Sequence, residues 1–391
     1  MPPRSASSNR LSPRSPAPRA WKRTPAAWRS AVAGSKGPSL RPRPAVERMA
    51  PYHPPTGGRM DRLRLDFNEN TLGCSEKVTQ FIAGHLVEND LAVYPEYGKA
   101  IEELAQFFKV EQNEFAITNG TDEAIQVLVN TYIDDGDDVI ILKPSYAMYR
   151  FYCEVAGAEI REIEYRPGTL AFPLQELLGA IQPNTRLILI SNPNNPTGAG
   201  VDLDGITRIL RKAPNAAVLI DEAYYEFSGV TALKLINEYP NLFVSRTFSK
   251  VYGMAAMRVG CIFSKAENVA WMKKAQSPYS VNSLAVLAAR AAIRDTEYIS
   301  EYVGEVLAAR ELLYVGFEKL GIPYIKSQGN FVLFAAGDRA AEIRDTLREK
   351  GILVRDRSYE IPGCVRVTVG TREQMRKFLT ELEAVWKRPA K

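Results

Sequence analysis

The sequence predicts an α/β protein whose main domain is an open, mostly parallel sheet covered by helices on both faces. From about residue 100, helix-like stretches alternate with short apolar runs that are rich in Val and Ile. Such runs are typical of strands buried on both faces, and each is separated from the next by enough chain for a crossover. The runs that we interpret as strands are residues 139–142, 187–191, 217–221, 242–245 and 259–263.

The pattern changes after about residue 285. Helical periodicity extends over 283–294 and 300–320, short apolar runs centre on 331–334 and 365–369, and a final helix begins at Arg372. This combination indicates a second, smaller α+β domain. The domains that we expect are a tail over 1–48, an N-terminal arm over 49–78, a large domain over 79–285 and a small C-terminal domain over 286–391.

The basic character of the chain belongs to its tail. The formal net charge is +5, but residues 1–48 hold 11 Lys and Arg against the single acid Glu47, a net charge of +10. The remainder has 39 basic and 44 acidic residues, a net charge of −5. A folded part of that charge would repel a polyanion, so we expect no nucleic-acid partner.

The tail is rich in Pro, Ser, Ala and Arg and has no apolar periodicity, which predicts disorder. An organelle transit peptide would share its excess of Arg and Ser, but nine prolines disfavour the amphipathic helix that import usually needs. The alternative is translation from Met49. We expect the protein in the cytoplasm.

Other classes of protein lack support in the sequence. No apolar run approaches the roughly 20 residues that cross a bilayer, so we expect no membrane partner. The four cysteines are far apart and are expected to be buried free thiols, and the two histidines cannot build a multi-histidine metal site. No G-x-G-x-x-G follows a strand, which disfavours a dinucleotide-binding oxidoreductase.

Polar side chains follow three of the predicted strands. Asn-Pro-Asn-Asn-Pro-Thr-Gly occupies 192–198, Asp-Glu-Ala-Tyr occupies 221–224, and Arg-Thr-Phe-Ser-Lys occupies 246–250. In open α/β sheets, ligands bind beyond the carboxyl ends of the strands. We therefore expect these three segments to converge on one edge of the sheet.

A lone lysine is most simply a solvated surface residue. Lys250 is a candidate functional residue because these other polar segments are expected to lie beside it. An amine that forms a Schiff base with an aldehyde cofactor needs an acid opposite the ring nitrogen, and Asp221 ends a neighbouring strand. Gly120, Thr121 and Asp122 follow an apolar run and open a periodic stretch, so their free amides suit a phosphate. Taken alone, these three residues could equally be a turn with a helix cap.

These motifs resemble those of the class I/II aminotransferases, which have the pyridoxal-phosphate (PLP)-dependent transferase fold of type I. The resemblance covers nearly everything after about Ala50, and its motifs occur in the family's order and spacing. It implies that Lys250 holds PLP, that Asp221 pairs with the ring nitrogen, and that Asn195 and Tyr224 bind the ring oxygen. It also implies that Tyr146 stacks on the ring and that Arg366 binds the substrate's α-carboxylate. The phosphate site that it implies contains Gly120, Thr121, Thr247, Ser249 and Arg258.

Within the family, the chain is most similar to the histidinol-phosphate aminotransferase branch, through Asn-Glu-Asn at 68–70, Tyr-Pro-Glu at 94–96 and Arg-Val-Thr-Val-Gly-Thr at 366–371. That branch needs a second anion site for the substrate phosphate. The resemblance assigns Tyr52, Tyr94 and Arg355 to that site, with Tyr94 lent by the other subunit of a homodimer. The segment after Tyr52 and the loop between Arg355 and Arg366 differ in length from some relatives.

The implied reaction transfers the amino group of histidinol phosphate to 2-oxoglutarate, as a step of histidine biosynthesis. The products are imidazole acetol phosphate and glutamate. Lys250 would act as general base and acid. An aromatic-amino-acid aminotransferase, a phospho-amino-acid decarboxylase and an enzyme acting on both substrates remain open on the same scaffold. A non-catalytic regulator domain is a further alternative, but such regulators carry a helix-turn-helix domain, for which the proline-rich tail is too short.

Overall fold

The computed structural model describes residues 40–51, 57–86 and 91–388. The chain divides into two compact units, Met1–Glu47 and Arg48–Lys391. Most of the predicted tail lies outside the described residues, and its last part contains helix α1, Pro44–Arg48. Tyr52 also lies outside them.

The second unit contains a seven-stranded sheet in the order β2-β8-β7-β6-β5-β3-β4. Its strands are β2 Phe115–Thr118, β3 Asp138–Lys143, β4 Glu159–Glu164, β5 Thr185–Ser191, β6 Ala217–Asp221, β7 Leu242–Thr247 and β8 Gly260–Phe263. The five strands from β7 to β4 are parallel. The mostly parallel sheet predicted from the sequence is confirmed, and the predicted strands match to within a few residues.

Strand β8 departs from the expected crossover pattern, because it runs antiparallel to both β7 and β2. A parallel return needs a crossover segment, usually a helix, to carry the chain back across the sheet. The segment between β7 and β8 instead contains Lys250 and only a 3-10 turn, Ala255–Met257. The chain therefore returns from this loop in the opposite direction.

Helices cover the sheet and join the strands. They are α2 Glu76–His85, α3 Gly98–Phe108, α4 Gly120–Tyr132, α5 Ala147–Ala156, α6 Leu174–Ala180, α7 Leu203–Lys212, α8 Tyr225–Ser228, α9 Ala266–Ala275, α10 Ser283–Ala292 and α11 Thr296–Leu320. Two further helices, α12 Ala340–Glu349 and α13 Arg372–Trp386, follow. Helix α13 starts at the predicted residue because Thr371 and Gln374 form a capping box.

Two small sheets accompany the last third of the chain. Strands β9 Tyr324–Ile325, β10 Phe331–Ala335, β12 Arg355–Asp356 and β13 Cys364–Thr368 form an antiparallel sheet, and β1 Leu63–Arg64 pairs in parallel with β11 Ile352–Leu353. The pairing of β1 with β11 ties the segment that follows β1 to the C-terminal part of the chain.

The core lies on both faces of the seven-stranded sheet, because successive side chains of a strand point to opposite sides. In β3, Ile140 and Leu142 belong to one apolar cluster, whereas Val139 and Ile141 belong to the other. The strands can therefore be apolar without interruption.

All four cysteines are free thiols, as expected. The expectation that all four are buried is wrong for two of them. Cys153 and Cys261 are buried, but Cys74 and Cys364 are only half-buried because they lie in or beside short peripheral segments.

Among the described residues, no helix combines the length and the apolar character needed to cross a bilayer.

Candidate active site

The ends of β5, β6 and β7 meet at one edge of the sheet. Register places Ser191 beside Asp221 and Asp221 beside Ser245, so the segments that follow these strands start side by side. A cavity of about 300 Å³ opens at this edge. The convergence expected from the sequence is therefore confirmed.

Lys250 lines this cavity, three residues beyond the end of β7. Its amine donates a hydrogen bond to the backbone carbonyl of Phe67 at 3.0 Å and lies 5.8 Å from the centroid of the Tyr224 ring. Lys250 is the one lysine among the described residues that line the cavity.

Asp221 is the last residue of β6, and its side chain is buried. Its two carboxylate oxygens accept hydrogen bonds from the Tyr149 hydroxyl at 2.8 Å and the Ser245 hydroxyl at 2.9 Å. Burial raises the pKa of Asp221, and these hydrogen bonds only oppose that rise. Within the described part of the chain no cation forms a salt bridge with this carboxylate, so it is suited to bind one from a ligand.

A second group of polar side chains lies where α4 begins. Arg258 donates hydrogen bonds to the Asp122 carboxylate at 3.1 Å and to the Ser249 hydroxyl at 3.4 Å. Gly120 has φ +72°, and a Cβ at this position would lie 2.5 Å from an Arg258 nitrogen. Only glycine therefore lets the guanidinium approach the start of α4 so closely.

The amides at this helix N-terminus, the Arg258 cation and nearby hydroxyls form an arrangement that suits an anion. Thr121, Thr247 and Ser249 are buried or nearly so and line the same cavity. The predicted phosphate-site residues therefore lie together, and the Asp122 carboxylate is a partner of Arg258.

Tyr146 stands at the start of α5, and its ring lines the cavity. Its hydroxyl donates to Asp122 at 2.6 Å, and burial raises its pKa strongly. The hydroxyl bond anchors one end of the ring, which leaves its face available for a planar ligand.

Asn195 and Arg366 contact each other across the cavity wall. The Arg366 guanidinium donates hydrogen bonds to the side-chain oxygen of Asn195 and to the backbone carbonyl of Asp66. Because that Asn195 oxygen is already an acceptor for Arg366, the Asn195 amide N–H groups remain as donors towards a ligand.

Arg355, Arg357 and Arg366 make one end of the cavity strongly basic. Arg355 and Arg366 lie opposite each other in the register of β12 and β13. Burial, with the charges of Arg357 and Arg355, lowers the pKa of Arg366 to about 10. Arg366 and Arg357 each have a buried Nε without a hydrogen-bond partner among the described residues. This end therefore favours a ligand with more than one negative charge.

One predicted substrate residue, Tyr94, is not brought into this cavity. Tyr94 is 74% exposed and stacks on Tyr279, with 4.4 Å between the ring centroids. Tyr52 is among the residues that are not described.

Several residues that line or support the cavity were not predicted from the sequence to have a role in the site. They are Phe67, Asn68, Glu69, Ser145, Tyr149, Ser191, Arg357 and Tyr359. Arg357 could have been found, because residues two apart in an extended segment share a face and Arg355 was already predicted. The Asn-Glu-Asn motif at 68–70 marked the family resemblance, but it did not indicate that this segment lines the cavity.

The fold and this cavity define a member of a known enzyme class. Residues 61–382 match the family described as aminotransferase class I and II, and the chain belongs to that family. The histidinol-phosphate aminotransferase of Symbiobacterium thermophilum is 37% identical over 88% of this chain and 98% of its own length. The enzyme of that name from a Geobacillus species is 34% identical over 84% of this chain and 92% of its own length.

Among solved structures, the histidinol-phosphate aminotransferase of Sinorhizobium meliloti, in complex with pyridoxal 5'-phosphate, has a TM-score of 0.80. It is 21% identical, and the match covers 91% of this chain and 99% of that chain. At this identity the likeness shows the shared fold. The family, the enzyme class and the fold that the motifs predict are confirmed.

The residues at this site fit PLP. Asp221 is a buried anion that has no cationic partner among the described residues, as a protonated ring nitrogen requires. The absence of a Cβ at Gly120 lets the Arg258 guanidinium lie against the N-terminus of α4, where the cation and the helix amides together suit a phosphate. Lys250 lines the same cavity as these two features.

Proposed function

We propose that this chain is a PLP-dependent aminotransferase that exchanges the amino group of histidinol phosphate with 2-oxoglutarate in histidine biosynthesis. The observation that carries the proposal is a single cavity with two chemically different ends. One end has the lysine, the buried carboxylate and the anion-binding residues that suit PLP, and the other has three arginines that suit a doubly charged substrate.

The side chains that would hold PLP are those described above. Lys250 would bind it covalently, Asp221 would face the ring nitrogen, and Asn195 and Tyr224 would donate to the ring oxygen. Tyr146 would cover the ring face, and Arg258, with the hydroxyls and amides beside it, would bind the phosphate. When bound, PLP supplies an aldehyde that reacts with amines and a protonated ring that withdraws electrons from the substrate's α-carbon.

Lys250 is placed to move the proton in this reaction. Lys250 lines the same cavity as the PLP-binding residues and the arginines, so its freed amine can take the proton from the substrate's α-carbon and return it. The contact with the Phe67 carbonyl holds the amine at this edge of the sheet.

The arginines share the binding of the anionic groups of both substrates. Arg366 is held by Asn195 and by a backbone carbonyl, so its remaining donors suit the α-carboxylate of glutamate. Arg355, whose guanidinium lies 5.8 Å from the centroid of the Phe67 ring, would bind the substrate phosphate. Glutamate brings a second carboxylate to the same place, so one set of arginines can serve both substrates.

The active unit that we propose is a homodimer in which Tyr94 completes the phosphate site of the other subunit. Tyr94 is highly exposed and lies outside the cavity of its own chain. Exposed apolar side chains accompany it in the sequence, since Leu91 is 69% and Val93 62% exposed. An exposed group of this kind is typical of a surface that another protein covers.

The remaining expectations belong to the same proposal. We propose Tyr52 as the second tyrosine of the phosphate site, a large domain over 79–285, a small domain over 286–391, and a cytoplasmic location.

The experiment follows the absorbance of PLP in the purified enzyme as histidinol phosphate, phenylalanine and glutamate are added in turn. Histidinol phosphate should react with the highest kcat/KM among the amino donors. Arg355→Ala should lower kcat/KM for histidinol phosphate roughly 10²-fold or more, because a desolvated charge pair is lost, and should spare phenylalanine.

Arg348→Ala is the matched control, because this exposed arginine lies near the cavity without lining it. It should leave both substrates unchanged. An equal loss on histidinol phosphate and phenylalanine in Arg355→Ala would contradict the assignment of the phosphate site. A preference of the wild type for phenylalanine would favour an aromatic-amino-acid aminotransferase.

A further inference from the structure

The segment that follows β1 lines the active-site cavity with Phe67 and Glu69 and brings Asn68 against Tyr224. Asn68 is 1% exposed, and its side-chain nitrogen donates a hydrogen bond to the Tyr224 hydroxyl at 2.9 Å. Among the described residues, Asn68 is the only hydrogen-bond partner of this hydroxyl. Tyr224 itself lines the cavity.

The direction of this hydrogen bond is fixed by Thr368. The Asn68 backbone N–H donates to the Thr368 hydroxyl oxygen at 3.0 Å, so the hydroxyl proton is left to be donated elsewhere. The Asn68 side-chain oxygen lies 3.3 Å from that hydroxyl and is its acceptor. Since the oxygen of the Asn68 amide is used by Thr368, the nitrogen of the amide must face Tyr224.

The backbone holds Asn68 in this orientation. Its φ of +56° lies in the left-handed region, which asparagine tolerates better than most residues. The Asn330 side chain donates to its carbonyl at 3.2 Å. Asparagine is therefore suited to the position twice over, by its backbone conformation and by an amide that both accepts and donates.

We propose that Asn68 is a positioning residue that aims the hydroxyl proton of Tyr224 into the active-site cavity. Because the Tyr224 oxygen accepts from Asn68, its own proton is free for an acceptor in the cavity. If PLP binds as proposed above, that acceptor is the ring oxygen, and a fixed donor stabilises this oxygen as an anion. The inference thus rests on the proposed cofactor, but not on the identity of the substrate.

Other charged and titratable groups also face Tyr224. The Lys250 amine lies 5.8 Å from its ring, and Arg366 and Tyr146 interact with it electrostatically. Any change at Asn68 has to be separated from these contributions, and the experiment does so with a second substitution at Tyr224.

The experiment is a pH titration of the visible absorbance of the resting holoenzyme, without substrate. Asn68→Gly keeps the left-handed backbone and removes the amide. We expect it to raise the apparent pKa of the bound chromophore by about 0.5 to 1 unit, the size of one ordinary hydrogen bond that no longer supports the anionic form. Asn68→Asp should raise it further, because a carboxylate accepts the Tyr224 proton and turns it away from the cavity.

The same two substitutions in a Tyr224→Phe background separate the hydrogen bond from other effects. In this background, Asn68→Gly should cause no further shift of the apparent pKa of the chromophore. Asn68→Asp should cause a smaller shift than before, which reflects only the added negative charge. Asn70→Asp is the matched control, since it adds the same charge to the same segment but contacts Val251 and Tyr298 rather than Tyr224.

The sign of the shift decides the outcome. If Tyr224 instead donates to Asn68, the change to glycine frees its proton for the cavity, and the apparent pKa falls. No shift, or the same shift with and without the Tyr224 hydroxyl, also overturns the proposal. If the wild type binds PLP but does not use histidinol phosphate, only the substrate assignment fails. If it does not bind PLP, the proposed function fails and this inference with it.

Discussion

The buried environment of Asp221 is the strongest indication of the chemistry of the site. A carboxylate buried among neutral donors is costly unless a cation joins it, and among the described residues no salt bridge reaches it. The protein therefore maintains a position whose stable occupant is a cation, which the ring nitrogen of PLP can provide.

Asp221→Asn should lower kcat on the order of 10²–10³-fold, the cost of removing one preorganised charge from an active site. An asparagine is nearly the same size, so binding of PLP should persist, because the phosphate end of the site is unchanged. Steady-state kinetics and PLP retention after dialysis measure the two effects separately.

Ser245→Ala is the control for this prediction, since it removes one donor to the same carboxylate and keeps the negative charge. It should cost less than about tenfold in kcat. An Asp221→Asn enzyme that works within tenfold of the wild type would rule out the assigned role of the carboxylate.

Residues of the site were predictable from the sequence when they follow a strand of the parallel sheet. Lys250, Asp221 and Asn195 lie just after strands whose ends must converge, so local pattern and sheet geometry suffice. Asn68 could not be found this way, because its contact with Tyr224 depends on the pairing of β1 with β11, almost 300 residues further along the chain. A two-residue strand is too short to show an alternating apolar pattern, so its pairing with a distant strand cannot be recognised from the sequence.

At the scale of elements, the positions of the inner strands follow from apolar runs, but strand order and the direction of β8 do not. The run that became β8 looks like the others, and only the loop that carries Lys250 decides that it returns antiparallel. Edge strand β4 was not predicted, because its alternating Glu-Ile-Arg-Glu-Ile-Glu pattern is charged and half-exposed. Burial on both faces produces a continuous apolar run that can be recognised in the sequence, and β4 lacks such burial.

A buried ion pair braces the two strands that end at the site. Glu222 follows β6, Arg246 lies in β7, and an Arg246 nitrogen is 2.7 Å from a Glu222 oxygen, with both side chains almost fully buried. The Tyr225 ring covers the guanidinium at 3.5 Å, and the Thr231 hydroxyl donates to the carboxylate at 2.9 Å. The pair thus joins the neighbours of Asp221 to the strand that leads to Lys250.

Glu222→Gln should lower the free energy of unfolding by about 3–5 kcal/mol, because it removes the salt-bridge partner of the buried Arg246. Urea unfolding followed by circular dichroism measures this. Glu383→Gln, which breaks an exposed i,i+4 pair with Lys387, is the matched control and should cost about 0.5 kcal/mol or less. Equal costs for the two substitutions would show that burial of the pair does not govern its contribution.

At the scale of the whole molecule, the cavity of one chain brings together most of the predicted site residues, but Tyr94 is not among the residues that line it. Tyr94 is exposed and stacked on Tyr279, away from the arginines that it should accompany. A homodimer would resolve this difference, because Tyr94 of each subunit could then enter the phosphate site of the other. A two-fold axis makes the two contributions equivalent.

Hybrid dimers test this directly. Lys250→Ala lacks the essential amine, and Tyr94→Ala should bind histidinol phosphate poorly at subsaturating concentration. Mixing the two under conditions of subunit exchange should restore about a quarter of the wild-type activity, because half of the dimers are hybrids and each hybrid has one complete site. Mixing Lys250→Ala with Arg355→Ala should restore nothing, because both residues belong to the cavity of the same chain. If the first mixture is as inactive as the second, Tyr94 does not act across a subunit interface.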